Sequence, residues 1–138
     1  MIATKTISLE TKGQCDIIDI TPQLAEQVGE AEINNGTATV FIAGSTAGVT
    51  TMEFEPGLLA DFKDMWQRSI PQNILYGHDR RWGDGNGYSH VRASLLGVSL
   101  VVPFNDRKLT LGTWQQIVLV DFDNRPRSRG IVVQIMGE

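Results

Sequence analysis

Residues 4–11 alternate Ile7 and Leu9 with polar neighbours, the two-residue period of a strand with one buried face. Residues 16–20 predict a short second strand. Thr21 then precedes Pro22, the order of a helix N-cap and a first helical residue. Leu24, Ala25 and Val28 supply the apolar stripe of a short helix ending near Gly29. Asn34-Asn35-Gly36 signals a turn, after which segments 37–43 and 49–54 are rich in β-branched residues and predict strands. Pro56-Gly57 opens the most regular helix. There Leu58, Leu59, Phe62, Met65, Trp66 and Ile70 recur at helical spacing, Asp61, Lys63 and Asp64 are left for solvent, and Pro71 stops the run.

A polar, glycine-rich loop follows. Ser89 then reads as the N-cap of a short helix through Val91, Leu95 and Leu96, closed by Gly97. In the last third, strands 99–104 and 108–111 flank an Asn105-Asp106 turn, and strands 117–122 and 130–136 flank a turn at Asn124-Arg-Pro126. Strands therefore dominate with two or three helices between them, which is the α+β class. No repeat, low-complexity tract or composition shift divides residues 1–138, so one domain is expected.

Composition narrows the partners. With 41% apolar residues the chain can bury an ordinary core, and its net charge of −4 opposes a broad grip on nucleic acid or anionic lipid. One cysteine, Cys15, rules out an intrachain disulfide and suits a reducing compartment. No apolar run approaches the roughly 20 residues of a membrane span, and the first residues lack a signal core. A cytoplasmic protein without membrane or nucleic-acid partners is the expectation.

Both histidines fall in the glycine-rich loop, where His78, Asp84 and His90 stand at equal steps of six residues. Imidazole titrates near neutral pH and is the commonest metal ligand, so these three are candidates for a divalent metal, magnesium or zinc, or for acid–base work. The alternative is a polar turn whose histidines cap helices or bond backbone. His90 falls in the first turn of the expected helix, whose positive end would keep it neutral. Glu53 and Glu55 share one face of a strand end and could hold a cation, although such pairs more often stand in solvent. Ser45 and Thr46, between Gly44 and Gly48, could offer hydroxyls and amides to an anion. Arg125, Arg127 and Arg129 would share a face of an extended chain, as a phosphate clamp or as the charged guard of an edge strand. In Leu111-Gly-Thr-Trp-Gln115, Trp114 suits core or subunit interface, and Gln115 could orient a ligand. Cys15 has no local neighbour to activate it.

Three stretches together resemble the YjbQ-type family, also called the secondary thiamine-phosphate synthase family. They are Asp84-Gly-Asn-Gly-Tyr-Ser-His-Val-Arg-Ala-Ser-Leu-Leu-Gly97, Leu109-Thr-Leu-Gly-Thr-Trp-Gln-Gln-Ile117 and Asp121-Phe-Asp-Asn-Arg-Pro-Arg127. With the segment from Ser45 to Thr50 and the Glu55-Pro-Gly-Leu-Leu helix start, the likeness covers nearly the whole chain. It implies a compact β-sandwich-like core, a homotrimer, and a polar pocket near subunit interfaces where His78, Asp84, His90 and Glu53 converge. It also implies a transferase joining a thiazole phosphate to a pyrimidine with loss of pyrophosphate. Phosphates would be met by Arg125 and Arg127 or by a metal on the carboxylates. Gly44, Met52 and Tyr88 replace a histidine, an asparagine and a histidine of many members, which leaves fewer nitrogen ligands and moves the balance away from a tightly held transition metal.

Overall fold

The computed structural model describes residues 1–138. The chain runs β1 (Ile2–Thr11), β2 (Asp16–Asp19), α1 (Thr21–Glu30), β3 (Gly36–Ile42), β4 (Ala47–Met52), α2 (Pro56–Ser69), α3 (Gly77–Trp82) and α4 (Gly87–Leu96), followed by β5 (Ser99–Asn105), β6 (Lys108–Leu109), β7 (Gln116–Asp121) and β8 (Arg127–Gly137). A five-stranded sheet has the order β1-β8-β3-β5-β6, and a three-stranded sheet the order β2-β7-β4. Every pairing is antiparallel. The fold is α+β.

Alternation along the strands builds two cores. Ile117 and Leu119 on β7 join Val49, Val40, Ile131, Val133 and Ile7 in the larger one, which lies between the two sheets. Leu24 and Val28 of α1 close its edge. Val118 and Val120 point the other way, into a second cluster with Ile17, Phe122, Trp66 of α2 and Ala93 of α4. The small sheet is thus sandwiched between the large sheet and two helices, and β7 is buried on both faces. A strand with apolar side chains at every position, rather than at alternate ones, is what that place requires.

Several local expectations change. Ile20, not Thr21, is the N-cap of α1, and the Thr21 hydroxyl instead accepts a hydrogen bond from the Ile117 amide. Ser89 is inside α4, whose N-cap is Asn86, and its hydroxyl donates to the Asn86 carbonyl. The histidine segment holds a fourth helix, α3, which is too short and too polar to show an apolar stripe. The hairpin β5–β6 turns at Asp106 and Arg107, both at positive φ, one residue later than expected.

The largest change concerns β8. Three alternating arginines suited a charged edge strand, yet β8 lies between β1 and β3. Nor do β7 and β8 pair across their turn: one belongs to each sheet, so the Asn124–Pro126 corner carries the chain from the small sheet to the large one. Polar groups concentrate at that corner.

Candidate functional site

Two aspartates lie at the corner, Asp121 at the end of β7 and Asp123 two residues on, and both are fully buried. Charges so deep persist only when their oxygens are filled. Asp121 accepts from the Thr11 hydroxyl at 2.6 Å, from Arg129 Nε at 2.7 Å and Nη2 at 2.9 Å, and from the Asp123 amide at 3.0 Å. Asp123 accepts from the Thr46 hydroxyl, the Asn86 side-chain amide, the Asn124 backbone amide, and Arg127 Nε. Burial by itself would raise the Asp123 carboxyl. The hydrogen bonds from Asn86, Asn124 and Thr46, with the charge of Arg127, outweigh it and hold the group below the ordinary carboxylate range. Arg129 Nη2 also donates to the Thr46 hydroxyl at 2.6 Å, which links the two halves.

Above this network opens a cavity of about 380 Å³ lined by Gly44, Ser45, Thr46, His78, Trp82, Asp84, Asn86, His90, Arg127 and Arg129. Arg129 meets Asp121 and Thr46 through Nε and Nη2, while Nη1 has no partner in the chain. Nη1 stands 2.9 Å from where a side chain on Gly44 would begin, so the glycine leaves room for it. The imidazoles of His78 and His90 stack with centroids 4.3 Å apart at 36°. Burial, and then the neighbouring His78, push His90 below its ordinary value, so it is neutral at neutral pH. His78 Nδ1 and the Asn86 side-chain oxygen are out of solvent without a hydrogen-bond partner.

The turn between α3 and α4 makes the stacking. Gly83 and Gly85, both at positive φ, reverse the chain, and Asp79 Oδ1 accepts from the Gly87 amide at 2.8 Å, fastening α3 to the start of α4. Asn124 donates to the Asp84 carbonyl at 2.9 Å and ties this loop to the β7–β8 corner.

Of the residues singled out from sequence, His78, Asp84, His90, Ser45, Thr46 and Arg127 share this cavity. Arg125 lines a smaller adjoining one with Asp84, Asn86, Asn124 and Arg127. Glu53 lies apart within the chain, in a cavity with Asp19, Glu55, Phe54 and Trp114. There Glu55 caps α2, accepting from the Gly57 and Leu58 amides, which hold its carboxyl below the ordinary range. Gln115 accepts from the Gly112 amide and donates to the Thr51 hydroxyl. Trp114, suited by its bulk to a core, is 74% exposed. No three histidine, cysteine, aspartate or glutamate side chains converge as a metal cluster. Arg129, offered from sequence with Arg125 and Arg127 as a phosphate clamp, lines the cavity too, whereas Asp121, Asp123 and Asn86 are residues of the candidate site that sequence reasoning missed. Their one signal was two acids closing an apolar strand, followed by arginines at matching two-residue steps.

The family model described as UPF0047 protein YjbQ-like matches residues 5–138. A UPF0047 protein of Archaeoglobus fulgidus is 38% identical over 130 residues, which cover 94% of this chain and 98% of that one. The UPF0047 protein YjbQ of Salmonella typhimurium is 32% identical over 137 residues, covering 98% and 96%. Among solved structures, a YbjQ-like protein of unknown function from Sulfolobus solfataricus superposes with a TM-score of 0.94 at 33% identity, covering 100% of this chain and 99% of that one. A conserved YjbQ/UPF0047 protein from Clostridium acetobutylicum gives a TM-score of 0.87 at 33% identity, with 96% and 99% covered.

Proposed function

The chain belongs to the YjbQ-like UPF0047 family, and we propose that it is an enzyme acting on a phosphorylated small molecule in the His78–His90 cavity. One observation carries this reading: a neutral imidazole, His90, faces the same polar cavity as two guanidiniums anchored on buried carboxylates. Arg127 and Arg129 are held by Asp123 and Asp121, so they meet an incoming oxyanion without having to be ordered first. Ser45 and Thr46 add hydroxyls beside them. His90, stacked on His78 and neutral, is placed to take a proton from a substrate group bound in the cavity.

The chemistry we favour is the thiamine-phosphate synthase type, in which a thiazole phosphate displaces pyrophosphate from a pyrimidine carrier. The arginines would then take the negative charge growing on the departing pyrophosphate. His78, Asp84 and His90 do not converge as three ligands, so the reading rests on arginine and imidazole. A divalent ion, magnesium or zinc, enters it as the companion of substrate phosphates, with Asp84 as the available carboxylate. A homotrimer is part of the same proposal. Glu53 and Trp114 lie away from the histidines in one subunit, and a neighbouring copy is what would bring them to a cavity.

The test is turnover of the purified protein with a pyrimidine pyrophosphate and a thiazole phosphate, and separately with a phosphomonoester, with and without magnesium. His90→Ala should lower turnover about a hundredfold or more, and Arg127→Gln should chiefly raise KM for the phosphate substrate. Unchanged turnover in His90→Ala, or no saturable phosphate binding by the wild type, would overturn the reading.

A further inference from the structure

On the other side of α4 lies a cavity of about 230 Å³, lined by Gln14, Cys15, Lys63, Asp64, Gln67, Gln72 and Arg92, none of which touches the histidine cavity. Its floor is Arg92, only 5% exposed. Arg92 Nε donates to the Ile70 carbonyl at 2.9 Å, where α2 ends, and Nη2 donates to the Gln67 side-chain oxygen at 3.2 Å. Both acceptors are neutral, and no carboxylate lies within 4 Å of the guanidinium, in contrast to Arg127 and Arg129. The rings of Tyr88 and Phe122, at 4.9 and 5.9 Å from Cζ, cover it on the core side. A guanidinium has five N–H donors, and two are used here. Buried charges are ordinarily paired, so this one has an unfilled demand for an anion.

We propose that this cavity binds a small carboxylate, held by the fork of Arg92 and by Lys63. Nη1 makes no hydrogen bond within the chain, and Arg92 lines the cavity, so a donor is left for a ligand there. A planar guanidinium edge matches a carboxylate's two oxygens. Lys63 has no ion-pair partner and adds a second positive charge at the rim. Asp64 opposes it with one negative charge, and the side-chain amides of Gln14, Gln67 and Gln72 can bond the rest of a short polar ligand. Cys15 does not repel an anion, because burial pushes its thiol up to about 11 and it stays neutral. Malonate is a suitable probe, with one carboxylate for Arg92 and another for Lys63.

Titration of ¹⁵N-labelled protein with malonate, against sodium chloride at equal ionic strength, tests this. We expect saturable shifts at Arg92 Nε and at the Gln67 and Gln72 amides, while His78 and His90 stay unmoved at the same concentrations. Replacing Arg92 would also disturb the end of α2, so the informative variants are at the rim. Lys63→Gln should weaken binding about fivefold, and Asp64→Asn should tighten it by a factor of about two to five. Shifts that do not saturate, or the same affinity in wild type, Lys63→Gln and Asp64→Asn, would overturn the proposal. Saturation centred on His78 and His90 would overturn it too.

Discussion

Asp123 accepts four different donors and contacts solvent nowhere, so its charge is tied to the folded state. Asp123→Asn would leave Arg127 without its carboxylate and turn an amide toward other amides. We expect it to lower unfolding free energy by about 3 kcal/mol, the scale for breaking a buried pair, measured by urea denaturation. The sign of the pH effect follows from the depressed carboxyl. The unfolded chain, with an aspartate pKa near 3.9, takes up the proton before the folded one does. The stability from this group is therefore complete above about pH 5, declines as pH falls through 4, and is gone below the folded-state value. The gap between wild type and Asp123→Asn should close over that window. A gap that stays constant from pH 6 to pH 3 would contradict the assignment.

At the scale of elements, α2 is held to the small sheet through Trp66, which packs edge-on against Phe122 at 5.0 Å and Phe62 at 5.7 Å. Its indole nitrogen is buried without a hydrogen-bond partner. The side chain therefore contributes shape and apolar area, and its polar atom is a small liability. Trp66→Ala should lower stability by about 3–5 kcal/mol through the cavity it opens. Trp66→Phe should lose clearly less, since it keeps a ring and removes the unpaired N–H; thermal denaturation of the pair checks this. The elements themselves were largely legible. The stripe from Leu58 to Ile70 gave α2 to within a residue, and Pro71 marked its end. The histidine helix α3 was not legible, because its six residues GHDRRW bury nothing and it is fixed by Asp79 bonding across to Gly87.

At the scale of the molecule, two large side chains stand in solvent near the candidate sites, Trp82 at 63% and Trp114 at 74% exposure. No helix is long and apolar enough to cross a membrane. Under the proposed trimer, Trp114, with Phe54 and the acids Asp19, Glu53 and Glu55 around it, is covered by a second copy. Sedimentation velocity should then show a trimer for the wild type and a shift to smaller species in Trp114→Ala at low micromolar concentration. Because the indole makes no core contact in the single chain, the variant's subunits should fold cooperatively. A wild type that sediments as a monomer would remove the trimer from the reading.

The sequence by itself determined the class of fold, the positions of most strands and of three helices, and the family, because each follows from local periodicity, turn residues and contiguous motifs. It also pointed to the segment from His78 to His90. Only the tertiary structure decided that β8 is central, so that Arg127 and Arg129 meet buried acids where an edge strand would have offered them to solvent. The same holds for Glu53, which stands just past the end of β4, not on a strand face, and lines a different cavity. Strand pairing joins Ile2 to Met136, almost the two ends of this chain. A periodic pattern records which face of an element is buried, and carries no information about which element lies against it.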